Sequence, residues 1–370
     1  MKNNLLVTII IASAVSLIVG PTSALLFNSY VNLSGNSLSF GKELNLNSYG
    51  YMSPSFIIQE PRKVVVNQDL KVEETITSIR SSLLGVHLKQ EISEASYNLS
   101  KPFAQALSAT TDGWVMVAWP QSIKTTELEN MVSDYVLIDS NKKIYEIEQV
   151  EISPEVGGVF VFFKLKNSTG LNIKRLVDDT EIKLGQSILL SSPDGSFSLD
   201  YLSAKTAEGS VFNSDIYPYN FVLNSGITQG PLLAFNLSGE VIGALDLNGK
   251  WLVSAEMNAY WRSLFKLKKV TKASLGFNYV NLSDFININW LDKGALIESF
   301  DANILLNENP SILAGLKIGD IITKINGTEI NAENNLSVLI NLYNPDDTIF
   351  IHYLRDGLES EIQLILAAVE

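Results

Sequence analysis

The chain has 370 residues, of which 46% are apolar, 18% charged and 9% aromatic, a composition that excludes a disordered protein and leaves room for two or three domains. A formal net charge of −13 and the lack of any Lys/Arg-rich cluster argue against nucleic acid as a partner. With no cysteine, disulfides, thiolate zinc sites and a thiol nucleophile are excluded.

After Met1-Lys2-Asn3-Asn4, residues 5–20 are apolar and uncharged, and the uncharged run continues to Phe27. The core suits a signal peptide, with Thr22-Ser23-Ala24 as its cleavage site; the full run 5–27 approaches the length of a membrane anchor. Both readings export the bulk of the chain, and Lys2 favours a cytoplasmic N-terminus. Residues 28–63 are rich in Asn, Ser, Gly and Tyr without a sustained period, which reads as a tether.

From Asp69, a candidate N-cap, Val72, Ile76 and Ile79 recur at helical spacing. A series of short strands follows: Ser82-Leu83-Leu84-Gly85-Val86-His87-Leu88, Trp114-Val115-Met116-Val117-Ala118, Tyr135-Val136-Leu137-Ile138, Lys143-Ile144-Tyr145-Glu146-Ile147 and Gly158-Val159-Phe160-Val161-Phe162-Phe163. Three more run through Ser187-Ile188-Leu189-Leu190, Ser198-Leu199-Asp200-Tyr201-Leu202 and Tyr219-Asn220-Phe221-Val222-Leu223. Short strands separated by turn chemistry argue for an all-β barrel or sandwich.

Asn224-Ser225-Gly226-Ile227-Thr228-Gln229-Gly230-Pro231-Leu232-Leu233, followed by Gly239-Glu240-Val241-Ile242-Gly243, resembles the nucleophile segment of trypsin-like serine proteases of the HtrA/Deg family. Their pattern is Gly-Asn-Ser-Gly-Gly-Pro-Leu-Leu and then Gly-x-Val-Ile-Gly. The last hundred residues resemble the PDZ domain that follows these proteases, through Ala273-Ser274-Leu275-Gly276-Phe277, Ala314-Gly315-Leu316-Lys317-Ile318-Gly319-Asp320-Ile321-Ile322, Asn326-Gly327 and Asp356-Gly357. The resemblance implies a mostly β protein: a chymotrypsin-like double β-barrel over residues 64–268 and a PDZ domain over 269–370, behind the signal segment 1–27 and the linker 28–63. It also implies an envelope or periplasmic location, a role in protein quality control, and trimerisation.

The chemistry departs from that family. Aligning on Gly230-Pro231 puts Thr228 where the family carries its serine; the strand Gly113-Trp114-Val115-Met116-Val117-Ala118-Trp119 leads to Pro120 where it carries histidine, and counting back from Lys164-Leu165 puts Val159 where it carries aspartate. Proline relays no proton and valine orients nothing. The chain has two histidines, His87 in the first barrel strand and His352 late in the PDZ segment, and both read as ordinary strand residues. Thr228 keeps a hydroxyl, but an internal threonine needs a base, and Glu155 is the one acidic candidate nearby. Ile227 and Gln229 also remove the glycine freedom of an oxyanion turn. No cofactor or metal site is read: Gly157-Gly158 precedes a strand and lacks the phosphate-loop lysine, and Asp178-Asp179 reads as a solvated loop.

Peptide binding remains. In a PDZ domain an extended chain adds as a strand while backbone N–H groups of a turn, here Leu275-Gly276-Phe277, receive its terminal carboxylate. Leu275 and Phe277, with Leu336 and Ile340 on a helix expected over residues 332–342, would line the pocket for an apolar last residue. The expected partners are polypeptide C-termini or unfolded protein, and the membrane through residues 5–27. Three readings stay open: an inactive HtrA-like peptide binder, an endopeptidase using Thr228 with a non-standard base, and a structural envelope protein with a closed groove.

Overall fold

The computed structural model describes residues 68–89, 102–120, 132–152, 160–207, 209–286, 292–305 and 307–369, all within one compact unit, Val66–Glu370. The signal segment, the tether, Glu155, Gly157, Gly158 and Val159 lie outside the described residues. No helix among the described residues is long and apolar enough to cross a membrane.

The first helix, α1 (Gln68–Arg80), buries Thr75 and Ile79 and packs Val72 and Ile76 against the same core, as the helical spacing requires. Asp69 lies inside its first turn and not at the cap. Six strands then close a barrel in the order β1-β2-β3-β6-β5-β4: β1 (Leu83–Leu88), β2 (Ala104–Ser108), β3 (Trp114–Ala118), β4 (Tyr135–Asp139), β5 (Ile144–Ile152) and β6 (Phe160–Leu165). The period of two explains why β3, and β6 apart from Lys164, are apolar on both faces. Val115, Val117, Val161 and Phe163 fill the barrel interior. Trp114, Met116, Ala118, Phe160 and Phe162 point outward into a second core shared with the next sheet.

That sheet has the order β10-β8-β7-β11-β12-β13. It contains β7 (Ser187–Ser191), β8 (Phe197–Ala207), β10 (Tyr219–Leu223), β11 (Leu232–Asn236), β12 (Val241–Leu245) and β13 (Trp251–Val253). A second barrel was the expectation. Among the described residues the outer strands β10 and β13 share no backbone ladder; the Trp251 indole instead donates to the Phe221 carbonyl at 2.9 Å and its ring lies 5.4 Å from that of Phe221. A helix, α2 (Ser254–Leu267), follows directly and buries Met257, Tyr260, Trp261 and Leu264 in the seam between the two sheets.

The C-terminal domain is built on a sheet of order β20-β19-β17-β16-β15-β9, with β18 on β17. Its strands are β15 (Phe277–Asn281), β16 (Ala295–Phe300), β17 (Ile321–Ile325), β18 (Thr328–Glu329), β19 (Thr348–Arg355) and β20 (Leu358–Ile365); β14 (Ala273–Ser274) pairs separately with β21 (Ala367–Ala368). Two short helices, α3 (Pro310–Ala314) and α4 (Leu336–Ile340), pack beside it. The hairpins turn where the sequence indicates, with Asn326-Gly327 at φ 47° and 81° and Asp356-Gly357 at 52° and 78°. Helix α4 is shorter than the span 332–342 expected for it. Asn331 accepts from the N–H groups of Glu333 and Asn334 at 2.9 Å each, and Asn335 then caps by accepting from Ser337 N–H at 2.9 Å, so two side chains hold the backbone in turns before the helix begins. One strand of this sheet, β9 (Val211–Asn213), belongs in chain order to the preceding domain.

Candidate functional site

The three positions of the expected triad are handled differently. Pro120 follows the end of β3, beside a Trp119 that is buried among Phe103, Tyr135 and Phe163. Val159 lies outside the described residues. Thr228 is exposed between β10 and β11, where a Cβ on Gly249 would come within 2.5 Å of its carbonyl oxygen. The turn before it is anchored by the buried Asp200, which accepts from Ser225 N–H at 3.1 Å and from the Ser225 hydroxyl. Among the described residues no hydrogen bond or ion pair engages the Thr228 side chain.

Both histidines are placed elsewhere. The His87 ring folds back over its own strand, so that a Cβ on Gly85 would lie 2.8 Å from His87 Nε2, and burial lowers its pKa. His352 stands opposite Glu361 across β19 and β20, with Nε2 at 3.0 Å from the carboxylate. Asp178 caps a short turn by accepting from Thr180 N–H at 3.0 Å, and Asp179 pairs with Lys205 at 3.0 Å and accepts from the Tyr217 hydroxyl.

The five residues of the expected peptide groove come together. Leu275, Phe277, Leu336 and Ile340 belong to one buried cluster, and Gly276 between them adopts φ 79°, which a side chain would strain. The loop is held from behind: Asn309 Nδ2 donates to the Gly276 carbonyl at 2.6 Å and the Ser311 hydroxyl to the Leu275 carbonyl at 2.7 Å. Its N–H groups are thereby left facing the other way, and an acceptor is already there. Leu275 N–H donates to Asp215 Oδ1 at 2.8 Å and Gly276 N–H to Asp215 Oδ2 at 3.2 Å, with the Ser274 and Ser214 hydroxyls also donating to that carboxylate. Burial pushes the Asp215 carboxyl above its ordinary range, while the Ser274, Ser214 and Leu275 donors and the Lys272 charge pull it down. Beside it, β9 runs antiparallel on β15, pairing Val211 with Val280, Phe212 with Tyr279 and Asn213 with Asn278.

Comparison with known proteins agrees with this geometry. The PDZ domain family matches residues 273–366. A probable periplasmic serine endoprotease DegP-like of Marinomonas sp. (strain MWYL1) is 30% identical over 219 residues, 54% of this chain and 45% of that protein. The serine protease Do-like HtrA of Lactococcus lactis subsp. lactis is 22% identical over 335 residues, 79% and 81% of the two chains. The chain is similar to HtrA-type proteases and carries a C-terminal PDZ domain. It spans 45% of the length of the Marinomonas protein. Among solved structures, an HtrA-type protease AlgW with tripeptide aligns at TM-score 0.47 and 14% identity over 81% of this chain and 97% of that one.

Sequence reasoning missed the residues that join the PDZ domain to the helix α2 that follows the second sheet. Lys272 Nζ, with its side chain 0% exposed, lies 3.2 Å from Glu256 Oε1 at the start of α2, and Glu256 also accepts from Tyr217 N–H at 3.3 Å. Arg262 on α2 donates to the carbonyls of Asn341, Leu342 and Tyr343, which follow α4. These contacts tie α2 to the PDZ domain and hold Tyr217 beside it, and no local pattern in the sequence announces them.

Proposed function

We infer that this chain is an exported, membrane-anchored HtrA-like protein that does not hydrolyse peptide bonds and that binds polypeptide C-termini through its PDZ domain, in envelope protein quality control or its regulation. The observation that carries the inactive half is the commitment of both histidines to other neighbours, His87 over Gly85 and His352 opposite Glu361. Attack by Thr228 requires a base to take its proton, and Pro120 supplies none. Loss of base and orienter together removes factors of about ten thousand or more in rate. The peptide-binding half rests on the PDZ match and on a Gly276 loop whose N–H groups hold a carboxylate. An extracytoplasmic location is supported by the periplasmic relatives and by the apolar run of residues 5–27.

The test is casein degradation by the full-length protein beside Thr228→Ala. Neither protein cuts if the reading is right. A parent that cuts, with the variant silent, establishes Thr228 as a nucleophile with a different base and overturns it.

A further inference from the structure

The groove of the PDZ domain already holds a ligand, and the ligand is part of the same chain. An external peptide would pair antiparallel with the free edge of β15 and present its last carboxylate to the loop before that strand. Residues 211–215 do both. Beyond the β9 pairing, Ser214 N–H donates to the Phe277 carbonyl at 2.9 Å and Phe277 N–H donates to Ser214 Oγ at 3.2 Å. Ser214 thus stands where the last residue of a bound chain would stand, and the Asp215 side chain supplies the carboxylate. Strand alternation turns Phe212 and Ser214 into the groove, both buried, and leaves Val211 46% exposed. Phe212 joins the cluster of Leu275, Phe277, Leu336 and Ile340. From the helix side, the Ser337 hydroxyl donates to the Asn213 carbonyl at 2.8 Å.

The segment is built to leave. It is an excursion from the β8–β10 pair, which is already closed by Ala207 opposite Tyr219 at its base. Residues 209–216 can therefore undock without breaking that ladder. We propose that residues 211–215 are a tethered competitor for the PDZ groove, and that a polypeptide with a free C-terminal carboxylate binds by displacing them. This rests on the reading above that the PDZ domain takes chain ends, and adds how that site is controlled.

The experiment uses the full-length protein and a fluorescein-labelled peptide, Gly-Ser-Val-Phe-Asn-Ser, copied from residues 209–214 and ending in a free carboxylate, with its C-terminal amide as control. Asp215→Asn and Phe212→Ala each weaken the internal ligand. Both should bind the peptide about tenfold or more tighter than the parent, because the affinity seen from outside scales with the open fraction. The amide should bind to none of them.

A further variant carries Asn213→Cys with Asn278→Cys. These residues are direct partners, antiparallel partners lie within disulfide reach, and the chain has no other cysteine. Oxidised, it should bind no peptide; reduced, it should regain binding. Equal affinity of parent and variants, or of oxidised and reduced protein, overturns the competition. A disulfide that fails to form shows that β9 does not rest on β15, which overturns the proposal and leaves the PDZ reading standing. A disulfide that forms, with no form of the protein binding the peptide, overturns capture of chain ends and the competition with it.

Discussion

Replacing Glu256 by Gln should destabilise the protein by about 3–5 kcal/mol, the range for removing one partner of a buried ion pair. The figure follows from the position of the pair. Lys272 and Glu256 have side chains 0% and 4% exposed, 3.2 Å apart. At that separation, with an effective dielectric of about 20, their attraction is roughly 5 kcal/mol. In the intact protein much of that attraction offsets the cost of taking both charges out of water, so the pair itself is worth little. Glu256→Gln keeps the shape but takes a carboxylate away from the buried Lys272 ammonium, and that part of the offset is lost. Glu256 also accepts from Tyr217 N–H and sits in the first turn of α2, a helix with no side-chain cap, where a negative charge is favoured. Urea unfolding of the parent, Glu256→Gln, Lys272→Met and the double variant Glu256→Leu/Lys272→Met closes the cycle. Each single change should cost several kcal/mol, and the apolar pair should recover most of the loss. If Glu256→Gln unfolds within about 0.5 kcal/mol of the parent, the level of an ordinary surface change, the pair is wet and the account of this interface is wrong.

Arg262→Ala removes the donors that hold the carbonyls just after α4 to α2. It should cost about 2–3 kcal/mol, the scale of charged hydrogen bonds, read by urea unfolding. Gly276→Ala should be at least as damaging to the loop as Gly-to-Ala changes at positive φ generally are, since its Cβ would lie 2.7 Å from Asn309 Nδ2. Loss of peptide binding with retained circular dichroism is the expected signature. His87 has a pKa lowered by burial, so the unfolded chain takes up a proton more readily than the folded one. Its contribution to stability is present above the ordinary histidine pKa of about 6.5 and is lost as pH falls from there through the folded value. The stability of His87→Gln should fall less steeply over that window, as measured by urea midpoints at a series of pH values.

What the sequence carried plainly was local. The apolar runs of β3 and β6 read as strands, and Asn326-Gly327 and Asp356-Gly357 read as hairpin turns because positive φ is a property of those residues themselves. The sequence also leads to the expectation of Thr228, Pro120 and Val159 where the family carries its serine, histidine and aspartate, which the cleavage assay tests; Val159 lies outside the described residues. The edges of elements were read less well: α4 begins late because Asn331 and Asn335 bond to the backbone ahead of it. The largest omission was β9. Three residues of alternating pattern do not separate a strand from a loop, and its partner β15 lies far along the chain. The local sign available was Phe212 and Ser214 on one face followed by the carboxylate of Asp215. That sign means something only beside the N–H groups of Leu275 and Gly276, which the fold supplies.

The exchange at the groove sets terms for any outside partner. Asp215 and an incoming chain end offer the loop the same group, so displacement leaves the charge facing Leu275 and Gly276 unchanged, whereas an amide end leaves donors short of an acceptor. Desolvation, which pushes the Asp215 carboxyl up, burdens an incoming carboxylate in the same way and gives neither an advantage. The tether does discriminate, since a short linker holds the internal strand at an effective concentration on the order of 1 mM. A peptide that merely repeats residues 211–215 must approach that concentration to enter. Ser214 is the weak point of the internal ligand. It is a small polar residue whose hydroxyl donates to Asp215 and accepts from Phe277 N–H, where a bound chain would aim its last side chain at Leu275, Phe277, Leu336 and Ile340. A chain end carrying Val or Leu there would gain about 1.5–3 kcal/mol from apolar burial, roughly ten- to a hundredfold in affinity. The internal strand therefore rejects polar chain ends and yields to those with an apolar last residue, of the kind that an unfolded or truncated polypeptide exposes.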